Sequence, residues 1–200
     1  MTVASAAFAL ALVAGMAGTA TAANISEKTT YFMVRGSTLD ELDHDLTGKG
    51  PVVASTGLHH PGATSVRFDG HVTYKAAGGG CRVNKTNLRL DLVTTLPKWE
   101  PRTKVSARTR LVWNTLAADI RRHENHHAQI AKLWLKKMEN AIRNLPAQRD
   151  CSAMEALVNK TSDRYLREHE RAQIDFDTVE AREVNWRLKR ALKRMMQASN

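Results

Sequence analysis

Apolar residues recur along this chain with two different periods, and the change falls near Lys104. Before it the spacing is that of strands. Thr29–Arg35 (TTYFMVR) reads as one strand. Ser65–Tyr74 alternates through Val66, Phe68, Val72 and Tyr74, with Gly70 placed as a bulge. Gly78-Gly79-Gly80 marks a turn, after which Cys81–Asn84 and Leu88–Val93 alternate again. A hairpin or meander is therefore predicted, ended by Pro97. Ser37 and Thr38 precede Asp40 and Glu41 by three residues, the spacing of a capping box. A short helix carrying Leu39, Leu42 and Leu46 follows and should stop at Gly48-Lys49-Gly50-Pro51.

Beyond Lys104 the period becomes 3.6. Leu116, Ile120, His123, His127, Ile130, Trp134 and Met138 share one stripe of a helix predicted from about Ser106 to Asn144, ahead of Pro146. A second helix is predicted from about Ser152 towards Met195. Trp113, Trp134 and Trp186 recur at helical spacing and are expected in the core. The fold class is α+β. One domain is expected over residues 23–200, with a β-rich half at 24–100 and a helical half at 101–200.

Residues 1–22 carry no charged side chain. They contain an apolar run, Ala7–Ala14, and end in Ala20-Thr21-Ala22, which fits a signal-peptidase site. No Lys or Arg precedes the run, and it is too short for a stable bilayer span. Export is predicted, with a mature chain beginning near Ala23, periplasmic or secreted, and without a transmembrane span. In that setting Cys81 and Cys151 are expected to form one disulfide. It would close a loop of about 70 residues, worth roughly 4 kcal/mol in the chain-entropy model.

Of 200 residues, 42% are apolar and 25% charged, which are globular values and exclude disordered and collagen-like classes. Two cysteines exclude a four-thiolate zinc site and a disulfide-dense scaffold. The net charge of +10 is unevenly spread. Residues 24–100 carry nine Lys+Arg against eight Asp+Glu, and residues 101–200 carry 21 against 12. The positive field belongs to the helices, above all to Arg187, Lys189, Arg190, Lys193 and Arg194. Anionic envelope polymers are a candidate partner for that cluster, and a solvated helix face accounts for it as well. Nucleic acid is not expected, because the chain reads as exported and no aromatic stacking platform accompanies the charge.

The chemistry concentrates in His123-Glu124-Asn125-His126-His127, an HExxH pattern on the first long helix. Residues i and i+4 lie one above the other, so two imidazoles can each give a nitrogen to one Zn²⁺. Glu124 then sits beside the ion as a general base for a metal-activated water. His126 reads as a flanking residue. The metzincin continuation is absent, so a third ligand must come from elsewhere. The second helix offers a polar line, His169, Gln173, Asp177 and Glu180, bordered by Tyr165 and Phe176.

With these residues in view, the chain resembles the bacterial family of predicted secreted zinc-dependent proteases, a domain of unknown function. The resemblance spans nearly all of the mature chain. Tyr31–Gly36 with Leu39–Leu42, Lys49-Gly50-Pro51, Val72 and Tyr74, Cys81, and Leu96-Pro97-Lys98-Trp99 carry its first part. His123-Glu124 with His127, Cys151, Gln173 and Phe176-Asp177 carry the rest. The family's closing pattern resembles Q-x-x-Y-D-x-x-T-x-H-G. Here Phe176 replaces the Tyr and Glu180 the Thr, and Arg182-Glu183 stand where His-Gly is expected.

The resemblance implies a zincin-like fold, in which a small antiparallel sheet packs on the HExxH helix. It implies a zinc metallopeptidase acting on peptide or protein substrates, with Zn²⁺ on His123, His127 and a third group. Asp177 keeps its motif position and is the expected ligand, with His169 and Glu180 as alternates. Leu88–Leu96 is a candidate edge strand for an extended substrate. Tyr165, His169 or an arginine of the second helix is a candidate for stabilising an oxyanion. The competing reading is a non-catalytic basic envelope protein that keeps the fold and a structural metal.

Overall fold

In the computed structural model, residues 24–53 and 56–198 are described. The export segment predicted at 1–22 lies outside them. The chain runs β1 (Asn24–Val34), α1 (Leu39–Lys49), β2 (Val52–Val53), β3 (Leu58–His59), β4 (Ala63–Ala77), β5 (Gly80–Trp99), α2 (Ala107–Arg143) and α3 (Cys151–Ala198). The architecture is α+β, as the two periods predict. Among the described residues no helix is long and apolar enough to cross a membrane.

The sheet departs from expectation in kind and in order. It is mixed, not antiparallel: β4 and β5 form the predicted hairpin, but β1 pairs with β5 in parallel, Asn24 opposite Arg89 through Val34 opposite Trp99. The order β1-β5-β4 puts β5 in the centre, so Leu88–Leu96 is not an edge. Pro97 does not end β5, which continues to Trp99. Its missing N–H is tolerated because β4 stops at Ala63, opposite Thr95, so one side of β5 has no partner there.

Gly78 and Gly79, at φ of 57° and 81°, supply the left-handed pair that a two-residue hairpin loop needs between Ala77 and Gly80. The bulge lies at Thr73/Tyr74, not at Gly70. At Gly70 a Cβ would come within 2.4 Å of the Asn87 carbonyl oxygen, and φ is 145°, so glycine serves close approach instead.

β5 turns Leu88, Leu90 and Leu92 to one face, and α2 answers with Ala128, Ala131, Leu135, Met138 and Ile142. The two alanines let the helix approach the sheet closely. A second cluster joins Val34, Leu42, Leu46 and Leu96 to Trp113 and Ile120. The buried line of α2 therefore passes through Ile120, Glu124 and Ala128, with His123 and His127 half-buried beside it. The predicted stripe was centred one position away. Trp113 is buried as predicted, and Trp134 packs edge-on against Tyr165, but Trp186 is 60% exposed.

α3 returns antiparallel to α2, with Met154 near Ile142 at one end and Arg187 on Asp119 at the other. Its start is fixed twice. Cys151 is bonded to Cys81, and the backbones of Cys81 and Gln148 exchange hydrogen bonds at 2.8 and 2.9 Å. α1 begins with the predicted capping box, Thr38 and Glu41. Asp45 then reaches back to the backbone N–H groups of Arg35 (2.7 Å) and Gly36 (3.0 Å) and pairs with Lys49. Burial pushes its pKa up, but the bonds from Lys49, Arg35 and Gly36 outweigh that and hold it below the usual value.

Two stability predictions follow from these ties. Reducing Cys81–Cys151 should lower unfolding free energy by about 4 kcal/mol, read as a lower urea midpoint with reductant than without. Asp45→Asn should cost about 1–3 kcal/mol near neutral pH. A depressed carboxyl pKa gives stability that is present above its unfolded value, near 3.8, and lost as pH falls through the folded one. The variant should therefore lose less stability than the wild type as pH falls through that window.

Candidate metal centre

One turn apart on α2, the His123 and His127 rings face each other with their Nε2 atoms 3.0 Å apart. Asp177, from α3, places Oδ1 3.3 Å from His123 Nε2 and 3.0 Å from His127 Nε2. The other nitrogen of each ring decides what these atoms are. His127 Nδ1 lies 2.6 Å from Gln173 Oε1. The amide is oriented by its nitrogen, which donates to the His127 carbonyl oxygen (3.1 Å) and to His169 Nε2 (2.9 Å). An amide oxygen only accepts, so His127 Nδ1 is the donor of this contact, and in the neutral ring that leaves the lone pair on Nε2. His123 Nδ1 faces Glu180 Oε2 at 3.4 Å, a longer contact of the same sense.

With both rings in that tautomer, three lone pairs converge on one point. Ligand atoms of a tetrahedral Zn²⁺ at 2.0–2.1 Å stand about 3.3 Å apart, close to the spacing here. Burial, then the neighbouring His127, lower the His123 pKa against the pull of Glu180 and Asp177, which favours the neutral, ligating ring. The donor set, two imidazoles and a carboxylate, fits Zn²⁺ or a similar divalent ion.

Of the three third-ligand candidates, Asp177 meets the histidine pair. Glu180 sits behind His123, on its Nδ1 side. It is held there by Arg122 and by Arg187, whose Nη2 is 2.8 Å away. Burial raises its pKa, and Arg122 and His123 lower it further than that, so it stays ionised. His169 receives Gln173 and stands edge-on to Phe68, so it supports the cluster at one remove. Burial lowers its pKa. Phe176 stacks on His126 with centroids 4.1 Å apart and lies 4.8 and 5.1 Å from the His123 and His127 rings. It wedges the ligand pair from outside. Tyr165 packs in the helix interface and does not line the cavity.

Glu124 is more buried than the histidines, at 5% exposure. The Thr64 hydroxyl donates to its Oε2 (2.9 Å) and lies 3.1 Å from its carbonyl oxygen. Burial raises its pKa, Thr64 and His127 partly offset this, and Asp177 adds to it. Gly62 closes over the same carboxylate. A Cβ there would meet Ile120 Cγ2 at 2.8 Å and Glu124 Oε1 at 3.1 Å. The ligands and Glu124 open into a cavity of about 600 Å³ between α2, α3 and β4.

Sequence reasoning missed Thr64, Gly62 and the role of Arg187. The first two lie about 60 residues from Glu124. Pro61-Gly62 was the only local signal, and it marks a turn without naming what the turn covers.

The geometry predicts one tight divalent ion per chain. His127→Ala should abolish binding, and Gln173→Ala and Glu180→Gln should each weaken Zn²⁺ about 10–100-fold by freeing a ligand ring. Competition with a chromophoric chelator, with circular dichroism to confirm folding, would measure both.

No curated protein and no solved structure matches the chain. A family does match, over residues 29–183, a span that contains His123, Glu124, His127, Gln173, Asp177 and Glu180 and stops short of Arg187. That span is more than half of the molecule, and the chain belongs to the family described as "Bacterial protein of unknown function (DUF922)".

Proposed function

We propose that this is an exported, zinc-dependent peptidase with a zincin-like site. The observation that carries the reading is the convergence of His123, His127 and Asp177 beside a buried glutamate at the wall of a cavity. His123, His127 and Asp177 would hold the ion. Bound there, Zn²⁺ supplies Lewis acidity towards a carbonyl oxygen and acidifies a water.

Glu124 accepts the water proton as the new C–O bond forms. It returns the proton to the amide nitrogen as the C–N bond breaks, and the acid formed gives its own proton to the amine, leaving a carboxylate and an ammonium. Its buried position suits this work, since a carboxyl with a raised pKa is a better proton acceptor near neutrality than an exposed one. Thr64 holds one carboxylate oxygen, which keeps the group aimed while it gains and loses the proton.

β4 gives the substrate its track. Among the described residues it pairs only with β5, and Ala63, Thr64 and Val66 line the cavity. An extended peptide can add to the open side of β4 by backbone hydrogen bonds and lie along the cavity that His123 and His127 line. The edge strand of this reading is thus β4, in place of Leu88–Leu96. The Cys81–Cys151 disulfide supports an oxidising location, as the export segment predicts.

Glu124→Gln is the decisive variant. It should keep about one zinc per chain and lower peptide hydrolysis by about 10²–10⁴-fold. Chelation should remove wild-type activity and added Zn²⁺ restore it. Zinc bound in full by a wild type that cleaves no peptide would favour the non-catalytic alternative.

A further inference from the structure

The cavity extends past the ligand cluster towards the start of α2 and the end of α3. Leu116 and Ile120 line it from α2, Ala181 and Val184 from α3, and Pro61 from the segment before β4. All five are apolar. The charged groups in that direction are Asp119, Glu180 and Arg187, and beside Pro61 the cavity is also lined by Thr56 and His60, which bond to each other at 2.9 Å.

Those charges are committed to one another. Arg187 Nε donates to Asp119 Oδ1 (2.7 Å), and its Nη2 reaches Asp119 Oδ2 (3.2 Å) and Glu180 Oε2 (2.8 Å). Arg122 holds the same two carboxylates from the outer side. Two guanidiniums face two carboxylates, so the group is neutral. Burial raises the Asp119 pKa, but Arg187 and Arg122 lower it further, which keeps the acid ionised and the pairing intact.

This balance decides what the extension can receive. A free C-terminal carboxylate needs a cation with charge to spare, and Arg187 is already neutralised by two acids. A free α-amine, or a Lys or Arg side chain, needs an unpaired acid, and Asp119 and Glu180 are each held by two arginines. A charge brought into this partly closed space would lose hydration without gaining a partner. An aliphatic side chain gains from burial on the five apolar residues.

We infer that the extension is a side-chain pocket for one uncharged aliphatic residue of an internal stretch of peptide. The site therefore engages chains away from their ends. This rests on the peptidase reading for its meaning, but the pocket itself can be tested by binding alone.

The test uses full-length zinc-loaded Glu124→Gln protein and peptides acetylated and amidated at their ends, differing in one residue: Leu, Ala, Asp or Lys. Calorimetry should show the Leu peptide binding about tenfold tighter than the Ala peptide, and tighter still than Asp or Lys. Freeing either end of the Leu peptide, with the residue moved to that end, should weaken binding. Val184→Phe, which fills the pocket, should remove the Leu preference while zinc content stays at one. Leu116→Ala, which enlarges it, should shift preference towards Phe. Equal affinity for all four peptides, or tighter binding of a free end, would overturn the inference. Wild-type hydrolysis is scored separately. Selective Leu binding without any cleavage keeps the pocket and removes the peptidase reading. Cleavage without side-chain preference does the reverse.

Discussion

The site depends on two imidazole nitrogens held 3.0 Å apart with a carboxylate oxygen against both, a grouping whose lone pairs a divalent cation would bind. The rest of this structure can be read as the means of keeping those three atoms converged. The Gln173 amide oxygen and the Glu180 carboxylate stand on the far sides of the rings, where they favour the tautomers that leave these nitrogens free. Both come from α3, as does Asp177. The centre therefore depends on one relation, the register of α3 against α2. A slip of one residue would turn Gln173 and Asp177 away together, because neighbouring helical positions point about 100° apart.

That register is set at both ends of the interface. At one end Cys151 is bonded to Cys81 at the head of the central strand. At the other, Arg187 clasps Asp119 and Glu180. Between them, Met154 and Val158 share a core with Ala131, Leu135 and Ile142. The sheet fixes the remaining coordinate. Because Ala128 and Ala131 admit β5 closely, α2 sits near enough to β4 for Thr64 to reach Glu124. Core packing, a covalent tie and an ion cluster thus act on the same few degrees of freedom.

What was legible in the sequence was local. The capping box at Thr38 and Glu41 is written within four residues, and the triglycine turn within three. The His123–His127 pair follows from helical spacing alone, and two cysteines have one way to pair with each other. The parallel pairing of β1 with β5 was not legible, because alternation says which face a strand buries and not which strand lies beside it. The same limit hid Thr64 and Gly62, whose partner lies about 60 residues away. The periodic stripe on α2 runs one position from the buried line because it passes through the two histidines. They flank the buried line, and Glu124 occupies it.

Arg187 shows why a run of charge is poorly described by its sum. In sequence it belongs to a basic cluster that reads as one surface. In the fold it leaves that cluster, neutralises two acids at the edge of the cavity and indirectly steadies His123 through Glu180. Lys189, Arg190, Lys193 and Arg194 remain on the exposed side of the helix, with Arg190 over the Trp186 ring. The direction a side chain takes from its helix, and not its formal charge, separates the residue that shapes the site from those that face solvent.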